Sequence, residues 1–439
     1  MRLTSVTRMH LPPGRLHTHV VRTAGPLGRR LPVSFDQRRH VSEGARPASW
    51  MAVAFRLPDD IDRDLLGHAW MRVVARHGTL RTVFVADDES TGRGLALHEV
   101  DVVAEGWTSA HGGEMSATTE HVRRLVRDVF DEVCSPFAQP SHRLCLVEPA
   151  DGAAATVIIG ADHSHVDMLS WQVLVRDLLA AAVDIREGVE EPPIPAPAFA
   201  DHTAELAAMP SAPATIIERW RRVLDAEGGT MPTFPLPLGD VSRPGPAHVE
   251  VHDVLDAATL ARFDARAAAL GVRPIALAVS VLTSATARVA GGAPLRAVFP
   301  VHSRHERRWH DAVGWFITNA VLESADPDPD ACAAAVRDAV ALGSYPLAPI
   351  LAPYGGMPMG PGMFALSWLD ARRLPIRADP TWEVQHVSAA VDVDGVMAWF
   401  TVTDHGLQMR CRFPQTAEAE TNVDRWSQAV VTGLRAAAE

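Results

Sequence analysis

The sequence predicts a mixed α/β protein of two lobes, and three observations lead there. The chain has 439 residues, beyond the ordinary reach of one hydrophobic core. Short apolar runs with strand character alternate with longer segments whose apolar residues return every three or four positions. Near the middle both patterns stop. Glu190-Glu191-Pro192-Pro193-Ile194-Pro195 cannot enter regular structure, because proline lacks a donor and fixes φ. A second Pro/Gly-rich stretch covers about 228–246. The reading is an N-terminal lobe over 1–190, a linker region over 191–246 and a C-terminal lobe over 247–439.

Each element has its own signal. Trp50 to Leu57 reads as a buried strand. Leu65, Leu66, Ala69, Trp70, Val73 and Val74 then repeat at helical spacing, ending near His77-Gly78. A second helix carries Val122, Leu125, Val126, Val129 and Phe130, and Ala155 to Ile159 is an apolar strand. Trp171, Leu174, Val175 and Leu178 share one face of a third helix. One helix is expected in the linker region, about 214–224, with Pro213 suited to its start. Asp256 as N-cap and Gly271 beyond the last turn bound a helix carrying Leu260 and Phe263, and Pro274 opens the next. Strands are expected at 295–301 and 313–322, then a helix at about 331–342. Four more strands lie near 363–368, 384–391, 397–402 and 407–413, and a last helix buries Val423, Trp426, Val430 and Leu434.

Composition narrows the function. A net charge of −12 disfavours general nucleic-acid binding and adhesion to anionic membranes, both of which need a basic footprint. No apolar stretch reaches the length of a membrane span, and the N-terminal residues are interrupted too early for a signal peptide. Cys134, Cys145, Cys332 and Cys411 form no CxxC pair and read as small core residues in a reducing, cytoplasmic compartment. The sequence has no GxSxG elbow, no phosphate loop and no GxGxxG after a strand.

Chemistry gathers in one run, Asp162-His163-Ser164-His165-Val166-Asp167-Met168-Leu169-Ser170-Trp171, between the apolar strand and the third helix. A strand-to-helix junction can present a side chain together with helix N-terminal amides. Their positive potential favours a neutral imidazole, the form that accepts a proton from a hydroxyl or an amine. A buried Asp167 needs a cationic partner, and Arg304 is a candidate. The same residues also begin the HxHxDH pattern of dinuclear zinc hydrolases, although Met168 stands where the last ligand belongs.

The run resembles the HHxxxDG motif of condensation domains and related acyltransferases. The motif's second histidine falls on His163, its aspartate on Asp167, and Ser170 matches a common continuation. Two positions depart: Asp162 replaces the first histidine, and Met168 replaces the glycine. Ser34-Phe35-Asp36-Gln37-Arg38-Arg39 resembles SxxQxR. Arg76-His77-Gly78-Thr79-Leu80-Arg81-Thr82-Val83-Phe84 is similar to RHxxLRTxF, and Val313-Gly314-Trp315-Phe316-Ile317-Thr318-Asn319 to GxFxN(T). The four segments occur in the family's order. Details such as Ser367-Trp368-Leu369-Asp370 look most like actinobacterial polyketide-associated acyltransferases, with free-standing nonribosomal peptide condensation enzymes beside them.

The resemblance implies two chloramphenicol-acetyltransferase-like lobes in a V-shaped pseudo-dimer with a central tunnel. It implies a stand-alone acyltransferase that moves an acyl group from a phosphopantetheine or CoA thioester to a hydroxyl or amine, in natural-product or complex-lipid biosynthesis. His163 would be catalytic. Asp167 would be structural, with Arg304 as its candidate partner. Met168, Ser170, Trp315 and Asn319 are candidate substrate or tunnel residues. No bound cofactor or metal is implied. The expected partners are an acyl or peptidyl carrier protein and a small-molecule acceptor, and a monomer suffices. The Pro-, Gly- and Met-rich stretch Tyr345–Met363 reads either as a loop flooring the tunnel or as plain surface. Two other readings stay open: a non-catalytic recruitment domain, and the zinc hydrolase.

Overall fold

The computed structural model describes residues 2–86, 94–113, 115–377 and 379–439. It divides into two compact units. The first comprises 1–208, 304–316 and 374–390, and the second 209–303, 317–373 and 391–439. The break at 208/209 lies inside the linker region read from the sequence. Two segments of the expected C-terminal lobe, 304–316 and 374–390, instead group with the first unit. One of them supplies a strand to its sheet, and the other wraps the end of its central helix.

Among the described residues the first unit carries a seven-stranded sheet. In spatial order its strands are Arg2–Ser5, Gln385–Ser388, Trp50–Arg56, Thr156–Asp162, His142–Pro149, Gly14–Ala24 and Asp101–Ser109. Only the first pair is parallel. Thr156–Asp162 is central, and its register sets Trp50 opposite Asp162 and Val53 opposite Ile159. A central strand has both faces covered, which explains its continuous apolar run. Helices Arg63–Arg76 and Met168–Arg186 pack together on one face, through Trp70, Val73, Trp171, Leu174 and Leu178. Helix Thr119–Val133 brings Phe130 against the strand at Gly160, where an added Cβ would lie 2.6 Å from the ring. Gly160→Ala is therefore expected to cost about 1–3 kcal/mol by overpacking, read as a lower denaturant midpoint at unchanged m-value.

The second unit carries, among the described residues, a six-stranded sheet in the order Ala247–Asp256, Gly406–Pro414, Val396–Thr403, Phe364–Asp370, Leu295–His302, Ile317–Ser324. Phe364, Phe400, Met409, Phe413 and Trp426 fill its core. The buried Trp426 indole donates to Thr286 Oγ1 at 3.1 Å, so its polar edge is satisfied. Asp256 caps helix Ala257–Ala269 through Thr259 N, Gly271 follows with φ +72°, and Pro274 is the first residue of the next helix.

The structure corrects three expectations about elements. The linker region contains a helix at Phe199–Ala207 besides the one at Ala214–Asp225. The strand expected over 313–322 begins only at Ile317, because the backbone of 313–316 is engaged by side chains of the first unit. The stretch 345–363 is not uniformly irregular: it opens with helix Leu347–Leu351 and a 3₁₀ turn at Ala352–Tyr354. All four cysteines are free and buried, and burial pushes the Cys145 and Cys411 thiols up to about 12. Among the described residues no single helix is long and apolar enough to cross a membrane.

Candidate active site

The site forms where the central strand ends. Asp162 closes the strand, His163–His165 make one 3₁₀ turn, and Asp167 caps helix Met168–Arg186 by accepting from Ser170 N at 2.8 Å. Two motif segments hold the turn from outside. Ser34 and Gln37 form a reciprocal capping box on helix Phe35–Val41, which orients Gln37. The Gln37 amide then donates to the Ser164 carbonyl at 2.9 Å. The Thr79 hydroxyl donates to the Val313 carbonyl at 2.7 Å and fixes the third segment.

His163 is partly exposed. Its Nδ1 lies 2.9 Å from the Val166 carbonyl, which can only accept, so Nδ1 carries the proton and Nε2 the lone pair. No hydrogen bond among the described residues occupies Nε2. The ring stacks on Trp315 at 3.9 Å between centroids and 9° between planes. Burial lowers the His163 pKa to about 4. The imidazole is therefore a neutral proton acceptor at physiological pH.

Asp167 is held in a closed network of its own. Arg304 Nη2 donates to its two oxygens at 2.9 and 3.1 Å, and Phe316 N donates to Oδ2 at 3.1 Å. Arg304 Nη1 donates to the carbonyls of Trp309 and Ala312 at 2.6 and 2.7 Å, and the guanidinium lies 3.8 Å from the Phe316 ring centroid. The Ser170 hydroxyl sits 2.8 Å from Asp167 Oδ1 and 2.9 Å from the Gly314 carbonyl, and accepts from Gly314 N at 3.1 Å. Every oxygen of Asp167 is taken, so its role is architectural.

The remaining candidates fall in different places. Trp315 joins His163. Ser170 is buried inside the Asp167 network. Met168 is partly exposed and is the first residue of its helix, a backbone position that needs no glycine. Asn319 lies in the second unit, where its amide approaches Met357 Sδ at 3.8 Å. His165 is buried, with Nδ1 3.0 Å from Ser164 Oγ and its ring edge-on to Phe84. His163, His165 and Asp167 thus turn to three separate sets of partners, and among the described residues no three His, Cys, Asp or Glu side chains gather as metal ligands would. Arg308 is shared between Glu205 and Glu306, at 2.7 and 3.0 Å.

One group was not legible beforehand. His40 reaches Asp162, with Nε2 3.2 Å from Oδ1, and its ring meets Trp315 edge-on at 5.4 Å. Asp162 is fully buried. Burial alone would raise its pKa, but the hydrogen bonds from His40 and Ser164 bring it down to about 2.

A family model described as the condensation domain matches residues 30–340. The acyltransferase PapA3 of Mycobacterium tuberculosis is 24% identical over 425 residues, spanning 90% of this chain and 87% of that protein. The solved PapA2 acyl transferase superposes with a TM-score of 0.84 at 20% identity, covering 100% of both chains. The first condensation domain of the calcium-dependent antibiotic synthetase, solved with a substrate analogue, gives 0.71 at 15% identity over 94% of this chain and 97% of that one. The fold is that of these domains, the chloramphenicol-acetyltransferase-like α/β arrangement.

Proposed function

The chain belongs to the condensation-domain family, and from that premise we propose that it is an acyltransferase whose general base is His163. The observation that carries the reading is the bond from His163 Nδ1 to the Val166 carbonyl, which leaves Nε2 as a fixed lone pair on a neutral ring. In the proposed reaction the donor is an acyl thioester on phosphopantetheine or CoA. An acceptor hydroxyl or amine attacks the thioester carbonyl while Nε2 takes its proton. The C–S bond then breaks, and the leaving thiolate receives that proton, which restores the enzyme. Asp167 and Arg304 fix the turn and take no part in proton transfer. Likeness to PapA3 and PapA2, both named as acyltransferases, supports the class, and lipid or natural-product biosynthesis is the proposed setting.

The test offers CoA- and carrier-bound acyl thioesters with alcohol and amine acceptors to the wild type and to His163→Ala, with products identified by mass spectrometry. Ester or amide from the wild type, reduced about 10²–10⁴-fold in the variant, is the expected result. Equal product from both would remove His163 from the chemistry. Met168, standing where the motif has glycine, is the ground for a second reading as a recruitment domain, and binding of acyl carriers without turnover by the wild type would select it.

A further inference from the structure

We infer that His40, held by Arg46 and bonded to Asp162, is a positioning residue that fixes the orientation of the His163 imidazole. The inference deepens the proposed function, because it rests on His163 being the acting group.

Three observations carry it. First, the contacts form one chain. Arg46 Nη2 lies 3.0 Å from His40 Nδ1, and Arg46 Nη1 donates to the His40 carbonyl at 3.0 Å. Because a guanidinium can only donate, Nδ1 is the acceptor, and the other ring nitrogen is left to donate to Asp162. Asp162 Oδ1 in turn accepts from Ser164 N at 2.9 Å and from the Ser164 hydroxyl. Second, the chain ends on the residues flanking His163, so it fixes the backbone turn from which that ring projects. Third, His40 lies beside the stack. Its ring is edge-on to Trp315 at 5.4 Å and to His163 at 6.0 Å. His40 thus flanks both rings of the stack.

The arrangement accounts for the departure of Asp162 from the motif. A carboxylate buried at the end of the central strand needs a donor, and nothing next to it in sequence is a cation. His40, 122 positions earlier, supplies the imidazole from helix Phe35–Val41. Gln37 of the same helix holds the Ser164 carbonyl, so a single rigid element grips the turn at two points. Two-point support is what a reacting group needs, since a displacement of about 1 Å can cost about 100-fold in rate.

The experiment reads the resting protein first. In ¹⁵N–¹H correlation spectra the His163 ring signals, assigned by their loss in His163→Ala, are expected to show the Nδ1-protonated tautomer alone. His40→Ala is expected to mix the two tautomers, and Asp162→Asn to do the same. His40→Gln, whose amide can donate to Asp162 and whose carbonyl can accept from Arg46, is expected to restore the single tautomer. Turnover is the second readout. His40→Ala should lower kcat about 10- to 100-fold with KM changed less than about twofold. The double variant His40→Ala/Asp162→Asn should be no worse than either single one, as for residues that act as one unit. Unchanged His163 signals in His40→Ala would overturn the inference whatever the activity, as would failure of His40→Gln to restore them at an unchanged unfolding midpoint. If the tautomer responds but His163→Ala keeps full turnover, the positioning stands and the assignment of His163 as base fails instead.

Discussion

Replacing Arg304 with methionine is expected to cost the folded protein about 3–5 kcal/mol and to take turnover with it. The size follows from what the guanidinium leaves behind. Asp167 is 2% exposed and Arg304 4%, so neither charge has water to fall back on. Without Arg304, the carboxylate keeps its bonds from Ser170 N and Phe316 N, but it has no counter-charge within a closed site. The carbonyls of Trp309 and Ala312 lose their shared donor in the same step. Arg304→Lys should recover little, because one ammonium cannot reach both carbonyls and both carboxylate oxygens as a planar fork does. Arg308→Met is the control. Its partners are exposed, and an exposed, solvent-screened pair contributes little. Denaturant midpoints of the three variants decide the matter. A loss in Arg304→Met no larger than in Arg308→Met would show that the buried pair is not what holds the turn.

How much of this was readable beforehand depends on how far each signal travels. Caps and breaks are local, which is why Asp256, Gly271 and Pro274 mark helix ends correctly from sequence. Long-range satisfaction is not local. Val313, Trp315 and Phe316 look like the start of a strand because they are apolar, yet they are apolar because they pack around the Asp167 turn. The backbone groups of Val313, Gly314 and Phe316 go to Thr79, Ser170 and Asp167, each more than 140 residues away. Helix Phe199–Ala207 lacks a capping side chain at Ala198, so its start carries no mark. Strand Gly14–Ala24 was hidden for another reason: it buries His17, Thr18 and His19, and a hydropathy pattern reads polar residues as exposed. At the site, His163 and Asp167 were nameable from the resemblance to the family motif, and Arg304 as a candidate from the demand of a buried charge. His40 was not, since only the fold brings helix Phe35–Val41 beside the end of the central strand.

Acid should unfold this protein well above the carboxylate range, with a midpoint in denaturant that falls steeply between pH 7 and 5. Burial holds His19 at about 4 and His142 and His386 at about 3, all as neutral rings. His163 stands at about 4, and burial lowers His77 and His165 as well. The unfolded chain returns each to about 6.5. Between those two values the unfolded state binds protons that the folded state refuses, so stability rises with pH and is lost as pH falls below about 6.5. At pH 5.5 His19, His142 and His386 alone give a slope of about 3–4 kcal/mol per pH unit. Asp162 acts in a lower window: its depressed pKa of about 2 contributes stability above the ordinary carboxylate value and loses it only below about 3.8. The histidines therefore act at higher pH than the window set by Asp162. His142→Gln separates this from general acid sensitivity. The glutamine amide can still donate to the Leu80 carbonyl, now bonded by His142 at 2.9 Å, but it does not titrate. The variant is expected to lose some stability at pH 7.5 and to show a slope shallower by about 1 kcal/mol per pH unit at pH 5.5. A wild-type midpoint that stays flat from pH 7 to 5, or a variant slope equal to the wild type's, would mean that these rings are already protonated in the fold.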